Sequence, residues 1–166
     1  MSGVRCYDDE GTAHDVAVES LSFSPAVYGI FIENERLLLL ANGRTGLCTP
    51  PGCVLTANEA PTQAIRHYFR RLTGITPQLG PLLLLEDQYR WLDGRAWHIS
   101  AMYFAVSRPF TASFHFDETP DPDITPQWVD LFDLQRNQFL FGLKAVVAGV
   151  ARLRDASQRQ SATASI

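Results

Sequence analysis

Hydrophobic positions along this chain follow two periods, and the change between them marks out the elements. Residues 26–33 and 36–41 are β-rich apolar runs separated by Asn34-Glu35, and Asn42-Gly43 ends the second. The unbroken run Leu37-Leu38-Leu39-Leu40 predicts a strand covered on both faces, because alternate side chains point to opposite sides of a sheet. Upstream, residues 4–7 and 14–18 flank Asp8-Asp9-Glu10-Gly11 as a hairpin. Downstream, residues 82–85 read as a buried strand, and 88–92 and 97–106 flank Asp93-Gly94, the strongest hairpin signal in the chain. His98, Ser100, Met102 and Phe104 share one face of the second arm. Residues 127–132 form a further short strand.

The period lengthens over residues 60–73. Ala64, Ile65, Tyr68, Phe69 and Leu72 make an apolar helical stripe, with Arg66, His67, Arg70 and Arg71 mainly on the opposite side. Pro61 suits the first turn and Gly74 the C-terminal cap. A second helix is predicted over 139–153, with Leu143, Val146, Val147 and Val150 as its apolar positions. Thr49-Pro50-Pro51-Gly52 reads as loop or turn, and the acidic, proline-rich stretch 117–126 as a surface loop. Residues 1–154 form one domain, and the small polar residues 155–166 a flexible tail. Two helices on a mixed sheet predict an α/β (α+β) protein built as a three-layer sandwich.

Composition narrows the partners more than the fold. The charge of −4 over 166 residues gives no basic field for nucleic acid. No apolar run approaches the length of a membrane span, and the N-terminal segment has no signal-peptide core, so a cytoplasmic protein without membrane or nucleic-acid partners is expected. Three irregularly spaced cysteines, Cys6, Cys48 and Cys53, read as reduced structural thiols rather than a disulfide framework.

Residues 50–75 read PPGCVLTANEAPTQAIRHYFRRLTGI. This segment resembles the Nudix box, a glycine, five residues, a glutamate, seven residues, then Arg-Glu-apolar-x-Glu-Glu-x-Gly-apolar. The order of elements over roughly residues 24–153 resembles the Nudix α/β/α sandwich as well. Anchored on Gly74-Ile75, the match puts Glu59 at the first glutamate and Cys53 at the opening glycine. His67 then stands for the arginine, and Tyr68, Arg71 and Leu72 for the three helix glutamates. Anchored on Gly52 and Arg66, it shifts by one: Asn58 replaces the first glutamate, and His67, Arg70 and Arg71 the others. In both frames no acid remains on the helix.

The resemblance implies that those glutamates would bind magnesium or manganese and help activate water at a diphosphate. Magnesium needs hard oxygen ligands, so each carboxylate counts. At ~4 Å and an effective dielectric near 20, each arginine facing a unit positive charge costs about 4 kcal/mol. No metal and no cofactor are therefore expected on this helix; Mg or Mn enters only if hydrolysis survives by other means. For that alternative, the candidate catalytic acids are Glu59 and Glu86, with Asp87, Asp93 and Glu118 as further candidates. Arginine also grips phosphate through its planar fork. Arg71 and Arg44 are thus candidates for a nucleoside-diphosphate ligand, and Trp91, with Trp97, Tyr28 and Tyr103, for stacking on a base. His14, His98 and His115 show no metal spacing.

Three functions stay open on the sequence. The first is a Nudix-like protein that binds a nucleoside diphosphate derivative, or a protein partner, with little or no hydrolysis. The second is a divergent pyrophosphohydrolase with its carboxylates outside the box helix. The third is an interaction module whose cleft is packed shut.

Overall fold

Three hairpins form at the predicted turns. β1 (Gly3–Tyr7) and β2 (Ala13–Ala17) pair antiparallel, with the Asp8 carboxylate accepting from the Glu10 and Thr12 amides across the turn. β3 (Ser22–Glu33) returns as β4 (Arg36–Asn42) through Asn34 and Glu35, both at positive φ, the two-residue geometry that matches strand twist. After β5 (Cys48–Thr49) and β6 (Gly52–Val54) the chain enters α1 (Pro61–Thr73). Pro61 opens α1, and Gly74 closes it in the left-handed conformation with its N–H on the Arg70 carbonyl. β7 (Gln78–Leu92) and β8 (Arg95–Ser107) follow, joined through Asp93 and Gly94 at positive φ. β9 (Ile124–Asp130) and α2 (Leu143–Thr163) complete the chain. The computed structural model describes residues 2–110 and 122–164.

Among the described residues the strands form one nine-stranded mixed sheet in the order β2-β1-β7-β8-β3-β4-β5, with β6 also on β3 and β9 also on β4. Its centre is the parallel pairing of β3 with β8, from Ser22 opposite Trp97 to Phe31 opposite Val106. Each face of the sheet has its own core. Val27, Phe31 and Leu38 meet Ala64, Ile65 and Phe69 of α1. Ala26, Tyr28, Ile30, Leu37 and Leu39 meet Ala145 and Val146 of α2. The leucine run of β4 thus alternates between two helix-covered faces, and the α/β/α sandwich follows from that alternation.

Several boundaries differ from the sequence pattern. Thr49 closes β5 and Gly52 opens β6, so within Thr49-Pro50-Pro51-Gly52 the turn is confined to the prolines. β9 begins at Ile124, inside the stretch 117–126 expected as a loop, because Thr125 and Pro126 pair with Ala41 and Leu40. The proline is tolerated because β9 pairs with β4 alone among the described residues, so its missing N–H faces no second strand. Glu118 and His115 lie outside the described residues.

The last helix, expected over 139–153, starts at Leu143 and runs to Thr163. Phe139 and Leu140 are tied to Cys48 by a bridge and a backbone hydrogen bond, and Gly142 at φ 92 turns the chain into the helix. At its far end the hydroxyls of Ser157, Ser161 and Thr163 bond back to carbonyls four residues earlier, over a stretch expected as a tail.

Candidate ligand-binding cleft

A cavity of about 380 Å³ opens where α1 passes β6 and the loop before α2. Its wall is built by close backbone approach. A Cβ on Gly52 would sit 2.2 Å from the Val27 carbonyl oxygen, so only glycine lets β6 lie against β3 and carry Cys53 to the cavity. From α1, Tyr68, Arg71 and Leu72 face the cavity, whereas His67 and Arg70 are exposed and not part of its lining. Tyr28 contributes from β3 and is stacked on Tyr103 at 5.3 Å.

A second cation lines the same cavity. Arg90 of β7 is 6% exposed. Its Nη2 donates to Asp9 at 2.5 Å, its Nε donates to the Tyr7 carbonyl at 3.1 Å, and its guanidinium lies 4.8 Å over the Phe141 ring. The β1–β2 hairpin and the loop before α2 thus hold this side chain in one position. Arg71, by contrast, is exposed and rests 5.7 Å over the ring of Tyr68.

The uncharged groups of the lining stay uncharged at neutral pH. Burial pushes the Tyr68 hydroxyl up to about 12, and burial likewise raises Tyr28. The Cys53 thiol is raised by burial first and then by the charge of Glu59, with Arg71 opposing, so it is a thiol and not a nucleophilic thiolate. What remains is two guanidiniums and one carboxylate, Asp9, already engaged by Arg90.

That donor set does not fit magnesium or manganese. Where the box resemblance asks for carboxylates, the cavity receives a neutral phenol, a guanidinium and a leucine. Among the described residues no group of three or more His, Cys, Asp or Glu side chains is arranged to hold a metal. Such cations take oxygen ligands, chiefly carboxylates.

The structure disperses most of the residues singled out in the sequence. Glu59 is exposed and outside the cavity; its carboxylate accepts from the Thr56 amide at 3.1 Å, which holds it below the usual range, and nearby His67 lowers it further. Glu86 is half-buried against Tyr103, whose hydroxyl also accepts from Gln88 at 2.7 Å, and it does not line the cavity. Arg44 is exposed and ion-paired to Glu10 and Asp123, each at 3.5 Å. Trp91 stacks on His14 at 4.8 Å, outside the lining. Asp87 accepts from His98 and Ser100 in a surface cluster. Arg71 and Tyr28 alone among the candidate binding residues reach the cavity.

Sequence reasoning missed Asp9, Arg90 and Phe141. A faint signal existed for Arg90, which shares its strand face with the apolar Leu92 and Leu84, but nothing pointed to its partner eighty-one positions earlier.

No protein-family model matches this chain, and no curated protein matches it by sequence. Solved structures do. A Nudix hydrolase from Nitrosomonas europaea superimposes with a TM-score of 0.59 at 16% identity, over 78% of this chain and 90% of that one. A MutT Nudix hydrolase from Burkholderia pseudomallei gives 0.58 at 17% identity, over 76% of this chain and 98% of that one. A UDP-X diphosphatase gives 0.54 at 16% identity, over 76% of this chain and 61% of that one.

Proposed function

We propose, from the premise that this chain has the Nudix fold, that it binds a nucleoside diphosphate derivative in the cleft and does not hydrolyse it through a metal on α1. One observation carries the reading: the α1 positions that look into an open cavity are Tyr68, Arg71 and Leu72, with Arg90 in the same lining. These are the replacements in the box frame anchored on Gly74-Ile75, and their placement supports that frame over the one-residue shift.

The chemistry follows from the two cations. A guanidinium offers paired N–H donors that match two phosphate oxygens, and charge-assisted hydrogen bonds of this kind are each worth about 1.5–3 kcal/mol. Arg90 is pre-organised by Asp9, Tyr7 and Phe141, so little ordering entropy is lost when an anion arrives. Exposed Arg71 closes on the phosphates from the mouth. Tyr28, Tyr68 and Phe141 supply aromatic surface for the rest of the ligand. The name of the UDP-X diphosphatase neighbour supports the choice of ligand class for this fold.

An open cavity also counts against a cleft packed shut for protein contact. The test is calorimetric titration of UDP-glucose and ADP into the chain with EDTA present. Saturable binding that falls at least tenfold in Arg71→Glu supports the reading. Equal affinity in both proteins would remove it.

A further inference from the structure

A second cavity, of about 600 Å³, shares no lining residue with the cleft. It forms where β7 loses register with β8 between Leu79 and Leu84 and α2 passes over β3. Its floor is apolar, from Ile30 and Ile32 of β3, Leu83 of β7 and Leu153 of α2. Gly149 sets the approach of the helix: a Cβ there would lie 2.9 Å from Ile30 Cγ2 and 3.4 Å from Leu83 Cδ1, pressing into that floor.

Arg66 of α1 and Arg152 of α2 also line this cavity. Both are exposed, and neither is ion-paired among the described residues. Two helices therefore bring positive charge to a hollow that joins this apolar floor to polar residues such as Thr76, Gln78 and Ser107, and its size suits a small molecule, roughly 300–1,000 Å³ for such sites.

We propose that this cavity binds a free amphiphilic anion, a medium-chain carboxylate or alkyl phosphate, with its tail on the Ile30–Ile32–Leu83 floor and its head between Arg66 and Arg152. The head takes hydrogen bonds from the guanidiniums. The tail replaces water on the floor, which strengthens binding about fourfold for each methylene buried.

Titration of hexanoate, octanoate and decanoate into the full chain tests this. Decanoate should bind saturably at one site, and affinity should rise roughly fifteenfold with each two methylenes. The surface double substitution Arg66→Glu/Arg152→Glu should weaken decanoate at least tenfold and leave the weak binding of neutral decanol unchanged. Gly149→Leu should block the tail. Arg71→Glu should leave decanoate binding intact, which separates this site from the cleft. No saturable decanoate binding, or binding indifferent to the double substitution, overturns the proposal. So does decanoate binding lost with Arg71→Glu. Co-sedimentation with phosphatidylglycerol vesicles without binding of monomeric decanoate also overturns it, in favour of a lipid surface.

Discussion

The two sides of α1 obey different constraints. Toward the sheet it carries Ala64, Ile65 and Phe69, all buried against Val27, Phe31 and Leu38, as a helix of this sandwich must. Toward the cleft it carries Tyr68 and Arg71, which line the cavity. The sheet side answers to packing, which tolerates little change in volume. The cleft side answers to the chemistry of the cavity instead. A fold shared with Nudix hydrolases at 16–17% identity does not by itself carry their chemistry to this cleft.

The contrast can be broken first on its packing side. Phe69 is fully buried, so Phe69→Ala should cost about 3–5 kcal/mol. A urea titration reads this as a lower midpoint. A loss below about 1 kcal/mol would mean that α1 does not depend on its sheet face. Arg90→Met lies between the two sides. It strips the Tyr7 carbonyl of a donor and should cost about 1–3 kcal/mol, while UDP-glucose binding falls at least tenfold. Intact binding there would take Arg90 out of the site.

On the cleft side the same comparison predicts little change in stability. Arg71→Glu is an exposed substitution and should stay within about 0.5 kcal/mol by urea titration. Combining it with Tyr68→Glu should create magnesium affinity that titration detects and the unaltered chain lacks. Equal affinity in the two proteins would place metal binding elsewhere.

The smallest effect concerns acid. The Asp8 carboxylate is held below the usual range chiefly by its hydrogen bond to His14, and Asp87 by its bonds to His98 and then Ser100. A carboxylate lowered on folding contributes stability above its unfolded pKa, about 3.9, and loses it as pH falls through the lower folded value. Stability should therefore decline below about pH 4, and Asp8→Asn/Asp87→Asn should flatten that limb in pH-dependent thermal melts. An unchanged limb would discount both pairs.

Much of the fold was legible because local signals agreed with tertiary demand. Asn34-Glu35 and Asp93-Gly94 turn as their residue types require, and the stripe from Ala64 to Leu72 packs as its spacing requires. The second helix was started four residues early because Phe139 and Phe141 continue an apolar pattern whose purpose lies elsewhere. Phe139 bridges to Cys48, and Phe141 lines the cleft beneath Arg90. The candidate cleft was legible where one box frame covers its lining on α1, at Tyr68, Arg71 and Leu72. It was illegible where it depends on pairs distant in sequence, and the contact between Arg90 and Asp9 leaves no local periodicity. Trp91 misled for a related reason, since a strand aromatic stacks as readily on a structural His14 as on a ligand.

The central claim is that the cleft binds without metal-dependent turnover. Its most direct test is a panel of nucleoside diphosphate sugars, dinucleoside polyphosphates and nucleoside triphosphates, incubated with the purified chain in magnesium and then in manganese. The account predicts no release of monophosphate above the protein-free control in either metal. Metal-dependent release that persists through purification and falls with Glu59→Gln or Glu86→Gln would contradict it and make this chain an enzyme whose carboxylates act from outside α1.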